Sequence, residues 1–205
     1  MIQQDKPMNE QESLLIIQQM IQTAKQEQKD DGKGWILWGW LLFLASVFTF
    51  LNLKWEWVSM YFFWNLFGGL ALALLLFTTV RFLFMKRKEK VRTYTKDLCE
   101  KLNIGFFIFL LLIIFSINLG VSPVKGFALL LGLYGFWMLI HGTMLNFKPS
   151  IIGAFVTWGL AFAGLYVQTF EWTMLLHSIA VLCGFIIPGH IAYAEFSKIK
   201  SENKG

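Results

Sequence analysis

The chain has 205 residues with 18 Lys or Arg against 13 Asp or Glu, a formal net charge of +5, and 56% of its residues are hydrophobic. Soluble domains average about 45–50% apolar residues, and here the excess is gathered into blocks of 18–24 residues between short polar breaks. That pattern excludes an ordinary soluble domain, and runs such as Ile104–Ile117, which do not alternate, exclude a β-barrel.

The first 34 residues are polar and hold no apolar stretch of the kind a secretory leader has. Span 1 is expected to be its own insertion signal. Within this segment, residues 9–28 read as a short cytoplasmic amphipathic helix. Asn9 is the N-cap and Glu12 completes a capping box. Leu14, Ile17, Ile21 and Ala24 fall on one face, suited to the inner leaflet or to a cytoplasmic protein partner. Asp30–Gly34 then breaks the helix.

Six spans follow, at about 35–53, 57–80, 102–119, 124–145, 151–168 and 172–194. A helix rises about 1.5 Å per residue, so about 20 residues cross a hydrocarbon core of roughly 30 Å. Without water, each apolar block must close its own backbone hydrogen bonds, and a helix does so. Short turns at Asn52–Glu56, Gly120–Pro123 and Gln168–Glu171 group the spans into three hairpins. Trp55-Glu56-Trp57 in the first echoes Phe170-Glu171-Trp172 in the third. The transmembrane domain is thus 35–195, and 196–205 is a tail.

Basic residues orient the spans. The segment 81–101 has eight basic and three acidic residues, a net +5. Lys148, Lys198, Lys200 and Lys204 lie on the same side, and Lys54 and Lys125 on the other. Lys and Arg favour the cytoplasmic face, so both termini are expected inside. Lys86, Arg87, Lys88, Lys90 and Arg92 are placed to meet anionic lipid headgroups, each contributing about 1 kcal/mol near the surface. Nothing around them reads bases, so no nucleic-acid role is expected. Trp35, Trp38 and Trp40 sit at the inner end of span 1, and Trp55, Trp57 and Trp172 at the outer turns. Indoles favour both interfaces. Trp64, Trp137 and Trp158 lie deeper and read as packing residues. The small pairs Gly69/Ala73, Gly159/Ala163 and Ala180/Gly184 suit close helix approach.

Chemistry is sparse. No Asp, Glu, Lys or Arg falls near the middle of a span, which counts against ion-coupled transport. Cys99 and Cys183 lie at different depths and form no disulfide scaffold. His141 and His190 share a depth near the inner interface and are the only metal or haem candidates; no cofactor is expected. His177 lies below the outer end of span 6, and Asn65 is the polar residue inside span 2. Pro188 removes a helical hydrogen bond and is expected to kink span 6 beside His190. Asn65, His177, Pro188 and His190 are therefore the candidates for a polar cavity or for helix packing. No phosphate-binding loop, nucleophile elbow or dinucleotide fingerprint is present.

Several short motifs resemble an uncharacterised family of small bacterial six-span membrane proteins. They are Glu12-Ser13-Leu14 with Met20-Ile21, Trp38-Gly39-Trp40, Thr93-Tyr94, Phe147-Lys148-Pro149 and Ile187-Pro188-Gly189-His190. The resemblance implies architecture and the bacterial cytoplasmic membrane, and brings no activity and no site residues. The resulting expectation is an all-α, polytopic six-span bundle, non-enzymatic, acting through lipid or protein partners and open to homo-oligomerisation. The rival readings are a small-solute transporter or channel subunit, and then a membrane enzyme or metal- or haem-binding protein.

Overall fold

The computed structural model describes residues 14, 32–84 and 94–202, and those residues form helices with no strand among them. The expected amphipathic helix at 9–28, except Leu14, and the lipid-contact residues Lys86, Arg87, Lys88, Lys90 and Arg92 lie outside the described residues.

Helix α1 (Lys33–Trp55) starts at Gly32, whose φ of 68° is left-handed. The Ile36 N–H donates to the Gly32 carbonyl over 3.0 Å. A side chain at Gly32 would run into the backbone at Gly189 and Tyr193, so glycine is needed for space as well as conformation. At its far end Asn52 organises the turn. Its Nδ2 donates to the carbonyls of Val58 (3.1 Å) and Ser59 (3.4 Å), and its Oδ1 accepts from the Val58 N–H (2.9 Å). This loop delays α2 (Phe62–Phe84) by five residues beyond the start read from hydropathy, because Trp57–Tyr61 are apolar but tied into the turn.

Helix α3 (Tyr94–Asn118) reaches back into the basic segment. Gly120, at φ 110°, makes the turn into α4 (Pro123–Met144). Pro123 sits in the first turn, where its missing N–H leaves no helical bond unmade. Asn146, at φ 51°, turns the chain into α5 (Lys148–Tyr166). Helix α6 (Phe170–Val181), a π-helical turn (Leu182–Ile186) and α7 (Ile187–Glu202) follow one another with no loop between. The widened turn lies directly before Pro188, where a proline ring would collide with a regular α backbone.

Among the described residues, five stretches are each long and apolar enough to cross a membrane: Lys33–Trp55, Lys101–Asn118, Pro123–Met144, Lys148–Tyr166 and Phe170–Lys198.

The most extensive packing joins α4 to α5, and the next joins α1 to α6. Both cross the grouping into consecutive hairpins that the turn lengths suggest. The α4–α5 seam is close because Gly135 leaves room for the Trp158 indole and Gly142 for Ser150 and Ile151. Trp158 Nε1 donates to the Gly132 carbonyl at 2.9 Å, and Ser150 Oγ to the Met138 carbonyl at 2.9 Å. Among the small pairs, Gly184 does meet Met138 and Thr157, whereas Gly69 and Gly159 face open space. Between α1 and α6, Lys54 and Glu171 approach to 3.6 Å.

Candidate functional site

Helix α2 packs on α1, and α3 packs on α4. The two pairs splay apart and leave a cleft of about 1000 Å³ lined by α1, α2, α3 and α4, with Phe185 of the π turn at its floor. Its length runs from Tyr61 and Asn118 at one end to Trp35 and His141 at the other. Gly68, Leu72, Phe107 and Ile114 line it and are themselves exposed, so the cleft is open along its side.

Aromatic rings make its deeper wall. Trp35 contacts Phe185 at 5.4 Å between centroids, Phe185 contacts Tyr134 at 5.5 Å, and Trp64 contacts Phe127 at 4.7 Å. The Phe185–Tyr134 and Trp64–Phe127 pairs are edge-to-face, an arrangement that contributes about 0.5–1.5 kcal/mol beyond burial. The wall is therefore apolar. Polar groups sit near the ends: Asn65 and Asn118 with Tyr61 at one, Asn103 and His141 at the other. The Asn118 amide donates to its own helix, at the Ile114 carbonyl, over 2.8 Å.

Behind the wall lies His177, fully buried. Three cleft-lining rings surround it: Trp64 at 5.2 Å, Phe127 at 5.6 Å and Tyr134 at 5.8 Å. Ser46 Oγ is 2.8 Å from His177 Nδ1 and 2.7 Å from the Leu42 carbonyl. A carbonyl only accepts, so the one hydroxyl proton goes to Leu42. With both contacts made as hydrogen bonds, Nδ1 carries the imidazole proton and donates it to Ser46 Oγ. The other nitrogen, Nε2, is left as a bare acceptor, and no group among the described residues donates to it. Such an unmet buried acceptor costs roughly 1–3 kcal/mol. The nearest indole points elsewhere: Trp64 Nε1 donates to Met174 Sδ at 3.2 Å.

The residues singled out from sequence are dispersed. Asn65 and His141 line the same cleft, near opposite ends. His141 lies against Trp35 (4.9 Å) and Trp137 (5.9 Å). His177 is screened from the cleft by the rings in front of it. His190 is exposed, while its neighbours Pro188 and Gly189 are buried. Gly189 packs against Trp35 and Ile36, so this motif seats α7 on α1. No group of three or more His, Cys, Asp or Glu positioned to hold a metal occurs among the described residues.

Sequence reasoning passed over Ser46, Phe127 and Tyr134 and took Trp64 for packing alone. The available signal was the count of polar residues in span 1: Ser46, Thr49 and Asn52 recur at helical spacing, and all three are buried. That stripe marks the face of α1 turned to the bundle. No family model, curated protein or solved structure matches the chain, so the likeness to small six-span proteins rests on its short motifs alone.

Proposed function

We propose that this chain is a six-span protein of the bacterial cytoplasmic membrane, with both termini inside, that holds the apolar part of a lipid-like molecule in the cleft between α2 and α3. The observation carrying this reading is the cleft itself, about 1000 Å³, walled by aromatic rings and open along its side. Small-molecule sites are concave, mostly apolar and about 300–1000 Å³, with a few polar groups to fix orientation. Here the opening faces the direction from which membrane lipids arrive. The basic segment 81–101 joins the two helices that flank the opening, and its charge draws anionic headgroups to the inner surface. No chemistry is required of the protein in this role, in keeping with the scarcity of reactive groups in the spans.

The test is photolabelling in lipid bilayers with a fatty-acid probe bearing an alkyl diazirine. Label should concentrate on Gly68, Leu72, Phe107 and Leu110 and fall when the cleft is filled by Gly68→Trp. Phe155, exposed on α5 and outside the cleft, is the reference. Equal labelling of both sets, unaffected by G68W, would defeat the proposal.

Asn65, Asn118 and His141 in one cleft also favour a second reading, passage of a small solute. It requires water along the whole cleft. Cysteines placed along the cleft-lining faces of α2, α3 and α4 should then react with a water-soluble maleimide at every depth, whereas labelling confined to the ends removes this reading.

A further inference from the structure

We infer that the molecule held in the cleft is a neutral lipid alcohol, whose hydroxyl donates to Nε2 of His177 while its chain lies along the cleft. This rests on the lipid-cleft reading and adds the chemistry of the head. Three observations converge on it.

Nε2 is the acceptor when both Ser46 contacts are hydrogen bonds. The Ser46 hydroxyl then donates to Leu42, which places the proton of the imidazole on Nδ1. The free nitrogen therefore asks for a donor, and a lipid ether, ester or ketone has none.

The surroundings select a neutral donor. Trp64, Phe127 and Tyr134 pack against the imidazole, and all three lie in the apolar core or against it. A phosphate or ammonium head would lose its hydration there with nothing to compensate it. A hydroxyl loses much less and regains one hydrogen bond.

On this inference Trp64 is the panel that moves between His177 and the cleft. Trp64 lines the cleft and stands edge-to-face with His177 at 87°. Its indole N–H is held by a thioether, a weak acceptor. A turn of this side chain away from Met174 exposes His177 to the cleft and sacrifices one weak hydrogen bond. The head then replaces an unmet acceptor with a satisfied one, which draws the panel open when the right ligand is present.

Two kinds of molecule share this chemistry, a diacylglycerol and an isoprenoid hydroquinone. The probes are dioleoylglycerol and its methyl ether, and an isoprenoid hydroquinone and its dimethyl ether. Each is titrated into the purified full chain in nanodiscs and followed by native mass spectrometry. One member of the hydroxyl set should bind about tenfold tighter than its ether, the worth of one hydrogen bond. The identity of that pair tells which source is used. In His177→Phe the preference should vanish while the ether still binds.

A second measurement needs no variant. The chain has three histidines, so nitrogen-15 labelling of histidine resolves them. The Nε2 signal of His177 should be that of an acceptor, and should move upfield when the alcohol binds and stay in place with the ether. Equal affinity for alcohol and ether, a preference that survives H177F, or a His177 signal indifferent to the alcohol would each overturn the inference. Cleft labelling by the diazirine probe together with any of these would leave the lipid cleft standing and remove the alcohol. Absence of cleft labelling would remove both.

Discussion

Ser46 and His177 lie 131 positions apart in sequence and meet through a 2.8 Å contact between Oγ and Nδ1 that joins α1 to α6 inside the bundle. Because Ser46 also bonds Leu42 in its own helix, the contact fixes both the rotamer of the serine and the tautomer of the histidine.

Ser46→Ala leaves Nδ1 as a buried donor without a partner, in addition to the unmet Nε2. A loss of about 1–3 kcal/mol is expected. Removing both partners is expected to cost less than removing one, since no orphan donor remains. The measurement is the unfolding midpoint in mild detergent titrated with dodecyl sulfate. S46A should lower it more than the S46A/His177→Leu double variant. The reverse order would mean that the pair contributes through packing volume alone.

The α4–α5 seam gives a second prediction. A methyl group at Gly135 would fall on the Trp158 indole, which is pinned by its bond to Gly132. Gly135→Ala should destabilise by about 1–3 kcal/mol through overpacking. Gly159→Ala is the contrast. Nothing lies near that position, so the better helix propensity of alanine should leave stability unchanged or raise it by up to about 1 kcal/mol. Thermal unfolding of both variants decides; equal effects would contradict the seam.

Asn52 ties the α1–α2 turn with three hydrogen bonds from one side chain. Asn52→Ala should cost about 1–3 kcal/mol and speed amide exchange at Val58, whose N–H loses its acceptor. Unchanged exchange at Val58 would show that the turn is held by other means.

Orientation is testable independently of the cleft. Reporter fusions near Asn52 should report outside and fusions near Lys90 inside, because the basic residues cluster in 81–101. The opposite pattern would invert the topology and, with it, the side on which anionic lipids gather.

The gap between the sequence reading and the structure is sharpest at the helix faces. Among the described residues, five of the stretches read from hydropathy are helices long and apolar enough to cross a membrane, since length and apolarity belong to each segment whatever its neighbours. Hydropathy misplaced the start of α2 because the residues from Trp57 to Tyr61 are as apolar as a span, and only the Asn52 side chain holds them in a turn. Hydropathy was silent on facing. A helix apolar all round carries little periodicity to say which side meets protein, so α1 gave itself away only through Ser46, Thr49 and Asn52.

The amino-acid sequence by itself determined that this is an all-helical chain with lipid-length apolar segments, a basic segment between the second and third, and almost no charge within them. Length and hydropathy are properties of each segment alone, so no tertiary information was needed. Which helices touch, that Pro188 and Gly189 seat α7 on α1, and that α2 and α3 stand apart around a cleft were decided by the tertiary structure. The same is true of the bare nitrogen of His177. Its acceptor state follows from a serine 131 positions away that spends its single proton elsewhere, a relationship that exists only once the chain has folded.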